Sequence, residues 1–333
     1  MEKQRKGITV AGSLIADVFY KIDTYPKEGM LVNVRGQEGF MGGTGNMIQD
    51  LAKMDPELPV TVSAIVGCDD RGEMLMRKLE EYPNIRTDQI VREGLSSVTM
   101  VMNAQDTKQR TFFFLPEASD RYDINCVDWD KLDSEIFHLE YLLLMKRVDE
   151  EDPEYGTHGA RILHEAREHG MKTSIDIVSE QSDRAKRIVT SALKYTDYCA
   201  VNEIEAEGIT GVDLTSSEEA LKNNAEKALK RLAELGVSRW AVVHSPAYGF
   251  GYDCEKDQFV ALPSFHLPDG YIKGTNGAGD AYCSGILYAA QRGDSLEEAM
   301  YMAAACAACS LSEENGSDGV HTWQEILDTA KTF

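Results

Sequence analysis

Short apolar runs and helical periods alternate along most of the chain. Ile8–Gly12 and Val60–Val66 are largely apolar runs, which predict buried strands of a parallel sheet. In segment 217–235 apolar residues recur every three or four positions, which predicts an amphipathic helix. Repeated alternation of this kind predicts a mostly parallel sheet with helices on both faces. Further strands are predicted at 141–145, Lys172–Ile177 and 197–201, with helices at 153–169 and Asp183–Leu193.

Two segments, 18–40 and 97–115, interrupt this alternation because neither shows a helical period. The first is strand-like and contains a proline and several glycines that make turns. The second holds two strand patterns, Ser97–Ala104 and Arg110–Leu115, which predict a hairpin. We predict that the two segments join in one small sheet.

Composition limits the classes of partner. The chain has 333 residues, of which 43% are hydrophobic and 27% charged, as in an ordinary soluble globular protein. Its formal net charge of −22 repels nucleic acid and anionic membranes, so neither is an expected partner. The same charge repels nucleotides at long range. A phosphate site must therefore rely on local N–H groups, a few lysines or arginines and a bound cation.

The cysteines and the N-terminus predict a cytoplasmic protein. The seven cysteines are scattered and odd in number, which favours reduced thiols. Cys306 and Cys309 have the spacing of a redox or metal pair, but they lie in an alanine-rich helical run, so core packing is the favoured interpretation. Segment 1–6 is charged and is not followed by an apolar signal core. No run approaches the roughly 20 apolar residues of a membrane helix.

The stretch 274–280 carries the clearest chemical signal. It holds three glycines and Asp280 and leads into a predicted helix. A helix start leaves N–H groups unpaired and positively polarised, and small residues let an anion approach them. A carboxylate inside such a loop suits a base that removes a proton while phosphate charge is held nearby. We therefore predict phosphoryl transfer to a hydroxyl. From this stretch alone, a glycine-rich turn capped by Asp280 remains the alternative.

Three other polar positions follow predicted strands or open predicted helices. Asp17 comes shortly after the first strand, where ligands bind in open α/β sheets, although on position alone a loop-capping aspartate is the favoured interpretation. The run 42–46, Gly-Gly-Thr-Gly-Asn, is a second glycine-rich helix entry, and Asn46 can donate and accept hydrogen bonds as a polyol requires. Asn202 and Glu205 open a short helix. Without further context they are interpreted as a cap and a solvated helix residue.

In this order and spacing, these sites resemble those of the ribokinase-like PfkB family of carbohydrate and nucleoside kinases. The resemblance runs from about Ile8 to the C-terminal helix, and its most specific part is 277–280, Gly-Ala-Gly-Asp. It implies an α/β fold with a doubly wound, mostly parallel sheet flanked by helices. It also implies one kinase domain over 1–333, with a small β lid formed by segments 18–40 and 97–115.

The resemblance implies a role for each position. Asp280 is expected to deprotonate the substrate hydroxyl beside an anion hole of backbone N–H groups. Asn202 and Glu205 are expected to place Mg²⁺ and the phosphates of ATP, mainly through water. The other implied site residues are Gly277, Ala278 and Gly279 in the anion hole, Asp17, Gly43 and Asn46 at substrate hydroxyls, and Thr275 and Asn315 at the nucleotide.

Three departures from the family pattern matter. The glycine-rich entry 42–46 is one residue tighter than the commonest family form. Relatives usually have Asp where this chain has Gly274, and that Asp helps to hold a monovalent cation, so the change argues against potassium activation. The strand end 243–249 lacks the usual Thr and Gly near His244 and Pro246, so nucleotide contacts there are expected to differ. His244 is interpreted as a packed or nucleotide-proximal residue rather than a catalyst.

Alternative functions remain open at this point. A nucleoside kinase is the nearest one, and the aromatic run 112–114 could supply a base clamp. A catalytically silent sugar-binding protein of the same fold is another, because fold does not fix function. A dinucleotide-dependent oxidoreductase is disfavoured, because no Gly-x-Gly-x-x-Gly follows the first strand. The exposed edges of the lid predict a possible homodimer through it.

Overall fold

The computed structural model describes residues 5–107, 109–179 and 183–333. The strands are β1 (Ile8–Gly12), β2 (Leu14–Ile22), β3 (Val34–Gly43), β4 (Val60–Val66), β5 (Ile85–Arg92), β6 (Ser97–Ala104), β7 (Arg110–Leu115), β8 (Ile136–Leu142), β9 (Lys172–Ile177), β10 (Tyr198–Asn202), β11 (Trp240–His244), β12 (Tyr248–Asp253) and β13 (Gln258–Pro263). The helices are α1 (Thr44–Met54), α2 (Asp70–Glu80), α3 (Lys146–Asp149), α4 (His158–Glu168), α5 (Asp183–Leu193), α6 (Glu203–Thr210), α7 (Glu218–Leu235), α8 (Ala278–Arg292), α9 (Leu296–Ser310) and α10 (Trp323–Ala330).

The larger sheet has the strand order β13-β12-β11-β10-β9-β8-β1-β4-β5. From β11 to β5 neighbouring strands pair in parallel, and β12 and β13 add an antiparallel hairpin at one edge. One apolar core packs α1, α2, α8, α9 and α10 on one face, and a second packs α4 to α7 on the other. The predicted α/β class, a mostly parallel sheet covered by helices on both faces, is confirmed.

The smaller sheet has the order β3-β2-β6-β7. Strand β2 pairs antiparallel with β3 and parallel with β6, so segments 18–40 and 97–115 join in one sheet as the sequence predicted. The sheet begins earlier than predicted, at Leu14, and β3 continues to Gly43. This extension leads directly into α1, so the smaller sheet and the larger sheet meet at the start of that helix.

The prediction of a strand at 141–145 has the wrong bounds, because the strand there is β8, which runs from Ile136 to Leu142. Its polar residues His138 and Glu140 are both fully buried, which broke the apolar pattern that the prediction relied on. Beyond Glu140 the chain leaves extended geometry, with φ of 65° at Tyr141 and 79° at Leu143. Positive φ is uncommon for side-chain-bearing residues and ends the regular strand.

Two smaller predictions also need correction. The helix predicted over 153–169 begins only at His158, because the hydroxyl of Thr157 caps it by accepting a hydrogen bond from the N–H of Ala160. Strand β5 was not predicted, because as an edge strand it keeps most of its side chains at least partly exposed and shows no apolar run. Within the residues described, no helix is both long and apolar enough to cross a membrane.

Helices α8 and α9 pack unusually closely at Gly285. A Cβ built on Gly285 would lie 2.5 Å from the Cα of Ala303, a distance that no real Cβ contact shows. The two helix backbones can therefore touch only because the side chain of Gly285 is a single hydrogen atom. Because α8 carries Asp280 and α9 leads to the loop at 315–318, this contact fixes two elements of the candidate site relative to one another.

We expect Gly285→Ala to lower the free energy of unfolding by about 1–3 kcal/mol, because the methyl group forces the two backbones apart. Urea unfolding followed by circular dichroism measures the loss. The matched control is Gly208→Ala in α6, where a Cβ meets nothing within 4 Å. That variant should be neutral or gain up to about 1 kcal/mol, since alanine is the better helix former. Equal stability of the two variants would contradict the close contact.

Candidate active site

The carboxyl ends of four neighbouring strands carry a row of polar side chains. Glu140 lies near the end of β8, Asp176 near the end of β9, Asn202 at the end of β10 and His244 at the end of β11. These strands are adjacent and parallel, so their ends share one edge of the sheet. Between β8 and β1 the chain order reverses direction. Such a switch point is where open α/β sheets bind ligands.

Asp280 lies in the first turn of α8 and faces this edge. Its side chain is buried, and one carboxylate oxygen accepts a hydrogen bond of 2.8 Å from the side-chain amide of Asn46. The other oxygen accepts a hydrogen bond of 2.8 Å from the hydroxyl of Tyr141. Burial raises the pKa of Asp280 and the two hydrogen bonds oppose that rise. The carboxylate is thus held at a fixed place with its basicity increased.

The backbone in front of Asp280 offers N–H groups to an anion. Gly277 caps α8 with a φ of 76°, and a Cβ there would lie 2.5 Å from the Cα of Gly316. Among the residues described, the N–H groups of Gly279 and Asp280 have no protein acceptor, and that of Ala278 reaches the carbonyl of Thr275 only at 3.5 Å. Unpaired N–H groups at a helix start form an anion site.

Tyr141 is a further residue of the candidate site, which the sequence did not reveal. Its φ of 65° lies in the left-handed region, which is unfavourable for a bulky residue. This conformation directs its hydroxyl to Asp280, 139 positions away in the sequence. Backbone strain of this kind is concentrated at functional sites. No sequence signal separates Tyr141 from the core aromatics, because the contact depends on where β8 ends.

Glu140 and Asp176 were also not predicted as site residues. One oxygen each of Glu140, Asp176 and Asp280 lie within 4.8 Å of one another. Burial raises the pKa of all three carboxyls, and the charge of Asp280 contributes to the rise at Glu140 and Asp176. Glu140 is fully buried, and neither of its carboxylate oxygens has a hydrogen-bond partner within the described chain. The site therefore concentrates negative charge.

The predicted substrate-side residues come together across the two sheets. Asp17 on β2 is held beside the second glycine-rich turn, where a Cβ on Gly42 would lie 2.1 Å from its carboxylate. Burial raises the pKa of Asp17 to about 6, and the charge of Asp280 adds to this shift. Gly43, which was predicted to lie at a substrate hydroxyl, has a φ of 59° and lies against the carbonyl of Ser13 instead. The glycine in contact with Asp17 is thus Gly42.

A cavity opens between the small sheet and the loop at 315–318. The aromatic run 112–114 does not contribute to its wall; the aromatic residues there come from β2, β3 and the segment just after α2. The residues that define it include Asp17, Asn46, Phe19, Phe40, Tyr82, Asn276 and Asn315. Phe19 and Phe40 pack edge to face at 5.3 Å. Polar and aromatic groups therefore both face this space.

Asn202 and Glu205 form a complete capping box at the start of α6. The side chain of Asn202 accepts the N–H of Glu205 at 2.9 Å, and Glu205 accepts the N–H of Asn202 at 3.0 Å. Glu205 also accepts a hydrogen bond from Ser179 at 2.7 Å. Asn202 is thus a cap, as interpreted, whereas Glu205 is the second half of the capping box and half-buried rather than a solvated helix residue. Carboxylate and amide oxygens with further lone pairs also fit a hydrated Mg²⁺, which keeps its waters.

The remaining predicted residues occupy distinct places. Thr275 lies in the turn before α8 and accepts the N–H of Ala278 through its carbonyl. The side chain of Asn315 is used inside its own loop, donating to Asp318 at 2.6 Å and accepting the N–H of Asp318 at 2.8 Å. Asn315 thus shapes its own loop. It also lines the same cavity as Asp17 and Asn46.

His244 is packed, as the sequence suggested. Its ring stacks on that of Tyr282 with centroids 4.7 Å apart, and burial lowers its pKa to about 4. A Cβ on Gly279 would lie 3.8 Å from the ring. Its alignment opposite Asn202 in the β10–β11 pairing places it between the capping box and the start of α8.

Comparison with known proteins agrees with this geometry. The model of the pfkB family of carbohydrate kinases matches residues 5–323. A nucleoside kinase of Methanocaldococcus jannaschii is 20% identical over 326 residues, covering 96% of this chain and 95% of that protein. An uncharacterized protein of Schizosaccharomyces pombe is 23% identical over 159 residues, or 41% of this chain, and the match spans only 43% of that protein.

The structure of Arabidopsis thaliana ribokinase, complexed with ribose and ATP, resembles this chain with a TM-score of 0.77. The identity is 18%, and the match covers 98% of this chain and 99% of that one. At this identity the similarity concerns the fold, so the predicted ribokinase-like architecture with its small β sheet is confirmed.

We expect Tyr141→Phe to raise the pKa of Asp280 further, because it removes a hydrogen bond that favours the ionised carboxylate. The measurement is a ¹³C NMR titration of protein labelled at the aspartate carboxyl carbon, with Asp280→Asn to assign the signal. Tyr282→Phe is the matched control, since the Tyr282 hydroxyl has no partner among the described residues. An Asp280 titration that is the same in Tyr141→Phe as in the control would contradict the assigned contact.

Proposed function

The chain belongs to the pfkB family of carbohydrate kinases, and on that premise we propose that it transfers the γ-phosphoryl group of ATP to a hydroxyl of a small sugar or sugar-like substrate. The observation that carries the proposal is the placement of Asp280 at the start of α8. A buried carboxylate with a raised pKa lies there directly beside unpaired backbone N–H groups. A base and an anion site are the two parts that phosphoryl transfer to an alcohol needs.

Asp280 acts as general base in this proposal. As the substrate oxygen forms its bond to phosphorus, its proton passes to a carboxylate oxygen of Asp280, and the bond to the ADP oxygen breaks. Gly277, Ala278 and Gly279 provide the helix start whose N–H groups hold the transferred charge. Asn46 and Tyr141 keep the carboxylate in position through their hydrogen bonds, so they act as positioning residues.

The substrate is proposed to lie between Asp280 and the small sheet. Asp17 and Asn46 would hold its hydroxyl groups, and the backbone of Gly43, with Gly42, would shape the floor of the site. Carboxylate and amide groups suit a polyol because together they accept and donate hydrogen bonds. We propose the small sheet as a lid over this space, inserted in one kinase domain that spans the chain.

A nucleoside is the second candidate substrate. The M. jannaschii nucleoside kinase matches nearly the whole chain, and Phe19, Phe40 and Tyr82 border the cavity next to Asp17. Aromatic side chains can stack on a base, but they also pack a lid sheet. A silent sugar-binding protein is the third candidate, and the intact Asp280 with its glycine-rich turn argues against it.

Asn202 and Glu205 are proposed to hold Mg²⁺ through water on the nucleotide side, with Thr275 and Asn315 near the nucleotide. The ion would offset phosphate charge. Gly274 supplies no carboxylate, and a Cβ there would lie 3.0 Å from the carbonyls of Glu313 and Glu314. We therefore propose turnover without potassium activation.

The cellular setting follows from composition. All seven cysteines are free thiols, which suits a reducing compartment, so we propose a cytoplasmic protein. With a net charge of −22, the proposed partners are the sugar, ATP and a second copy of the chain rather than nucleic acid or a membrane.

We expect Asp280→Asn to lose at least about 100-fold in kcat while it stays folded, because the amide cannot take the proton. ADP release is measured with a panel of sugars, sugar alcohols and nucleosides, each with ATP and Mg²⁺. Asp88→Asn, an exposed position on β5, controls for the loss of a charge. Turnover near that of the unchanged protein in Asp280→Asn would refute the mechanism. Ligand binding without phosphorylated product across the panel would favour the silent binder.

We expect the unchanged protein to elute with twice the mass of one chain in size-exclusion chromatography with light scattering. Strand β7 is an edge of the small sheet, and it exposes Phe112 and Phe113, which a second copy could cover. Replacing both with serine should give a monomer. Leu95→Ser, which alters an exposed apolar residue outside the sheet, should stay dimeric. A monomeric unchanged protein would rule out this interface.

A further inference from the structure

The three carboxylates at the centre of the site have no positively charged partner among the side chains that the structure describes. Oxygens of Glu140, Asp176 and Asp280 lie within 4.8 Å of one another. Among the described residues, no Lys, Arg or His lies within 4.0 Å of any of them. Like charges this close are unfavourable in a buried setting. A positively charged group bound there would favour their ionised forms.

Glu140 gives independent support for a ligand at this place. Its exposed fraction is 0%, so water does not reach it. Both of its carboxylate oxygens also lack a hydrogen-bond partner within the described chain. Leaving a buried carboxylate unpaired costs free energy, so such groups in native proteins call for an explanation. Its oxygens belong to the group that converges with Asp176 and Asp280, and a bound donor there would satisfy them.

We propose that the substrate carries a protonated amine next to the hydroxyl that is phosphorylated, and that Glu140, Asp176 and Asp280 bind this ammonium. This substrate class, an amino sugar or another vicinal amino alcohol, rests on the proposed kinase function. Each N–H of the ammonium donates to one carboxylate. The amine keeps its proton throughout, and only the hydroxyl proton passes to Asp280.

The convergence of the three oxygens leaves them close enough to share one ammonium group. A nitrogen about 2.8 Å from each of three acceptors, with tetrahedral N–H directions, holds those acceptors about 4.6 Å apart. Mg²⁺ with ligands at about 2.0–2.1 Å holds oxygens only about 3 Å apart when adjacent and about 4 Å apart when opposite. Because the three oxygens lie within 4.8 Å of one another, the N–H groups of one ammonium can reach them; the same bound also admits a metal ion, which the test below distinguishes.

Asp280 can serve the amine and the hydroxyl at once. Each of its oxygens accepts one hydrogen bond, from Asn46 and from Tyr141, and an ionised carboxylate has about four acceptor sites. Two acceptor sites therefore remain. A vicinal amino alcohol places its two groups close enough to use both, which brings the hydroxyl to the base and to the start of α8.

Charge balance gives a further reason for an amine. The transferred phosphoryl group is negative, and it must approach the same edge of the sheet that carries Glu140 and Asp176. With a neutral sugar those two carboxylates would repel it. An ammonium between them removes much of that repulsion, which should appear as tighter binding and faster turnover for the amine of a matched pair.

The test compares matched amine and hydroxyl substrates, D-glucosamine with D-glucose and D-galactosamine with D-galactose. Isothermal titration calorimetry without nucleotide measures the binding of each sugar, and ADP release in the presence of ATP measures turnover. We expect at least about tenfold tighter binding and a higher kcat/KM for one amine over its partner sugar. Glu140→Gln and Asp176→Asn should each remove most of that preference. Glu57→Gln, an exposed position outside the site, should leave it unchanged.

The outcomes separate this proposal from the kinase function itself. If the neutral sugar binds as tightly as the amine or more tightly in both pairs, the proposed ammonium site is overturned, even where ADP release is normal. Binding of Mn²⁺ in the absence of nucleotide, if Glu140→Gln abolishes it, also overturns the ammonium site, because the three oxygens would then hold a metal ion. Amine binding that depends on Glu140 without any ADP release supports the ammonium site and contradicts the kinase. Melting temperatures of the two variants establish that they are folded.

Discussion

The burial of Asp280 at the first turn of α8 is the constraint on which the rest of the site depends. A carboxylate in this position is useful only if it is held ionisable and fixed. Asn46 and Tyr141, from α1 and from the end of β8, each supply one hydrogen bond of 2.8 Å. The close contact of α8 with α9 at Gly285 holds the helix that carries it. Core packing, strand ends and the proposed catalytic chemistry are thus coupled through one side chain.

The parallel sheet explains why so many polar groups meet there. Neighbouring parallel strands end at the same edge, so Glu140, Asp176, Asn202 and His244 come together although long segments separate them in the chain. The reversal of strand order between β1 and β8 opens the space into which Asp280 faces. The small sheet then brings Asp17 from β2 to the other side. The result is a site in which a helix start with unpaired N–H groups lies next to a strongly acidic interior.

That acidic interior has an energetic cost that function explains better than stability. Burial raises the pKa of Glu140, Asp176 and Asp280, because each charge is removed from water, and the charge of Asp280 adds to the rise at Glu140 and Asp176. Replacing such groups by apolar ones of similar size would often stabilise a protein. Their convergence on one point instead suits a bound cationic group. The fold therefore carries locally unfavourable electrostatics at the place where a ligand can relieve them.

The sequence by itself determined the elements and residues whose signals are local. The turn 274–280, the helix entry at Asn46 and the capping pair Asn202 and Glu205 are written in consecutive residues, because turns and caps involve neighbours in the chain. Only the tertiary structure decided the roles of Tyr141, Glu140 and Asp176. Their contacts with Asp280 depend on strand order and on where β8 ends, and a buried polar residue inside a strand looks in sequence like an exposed one.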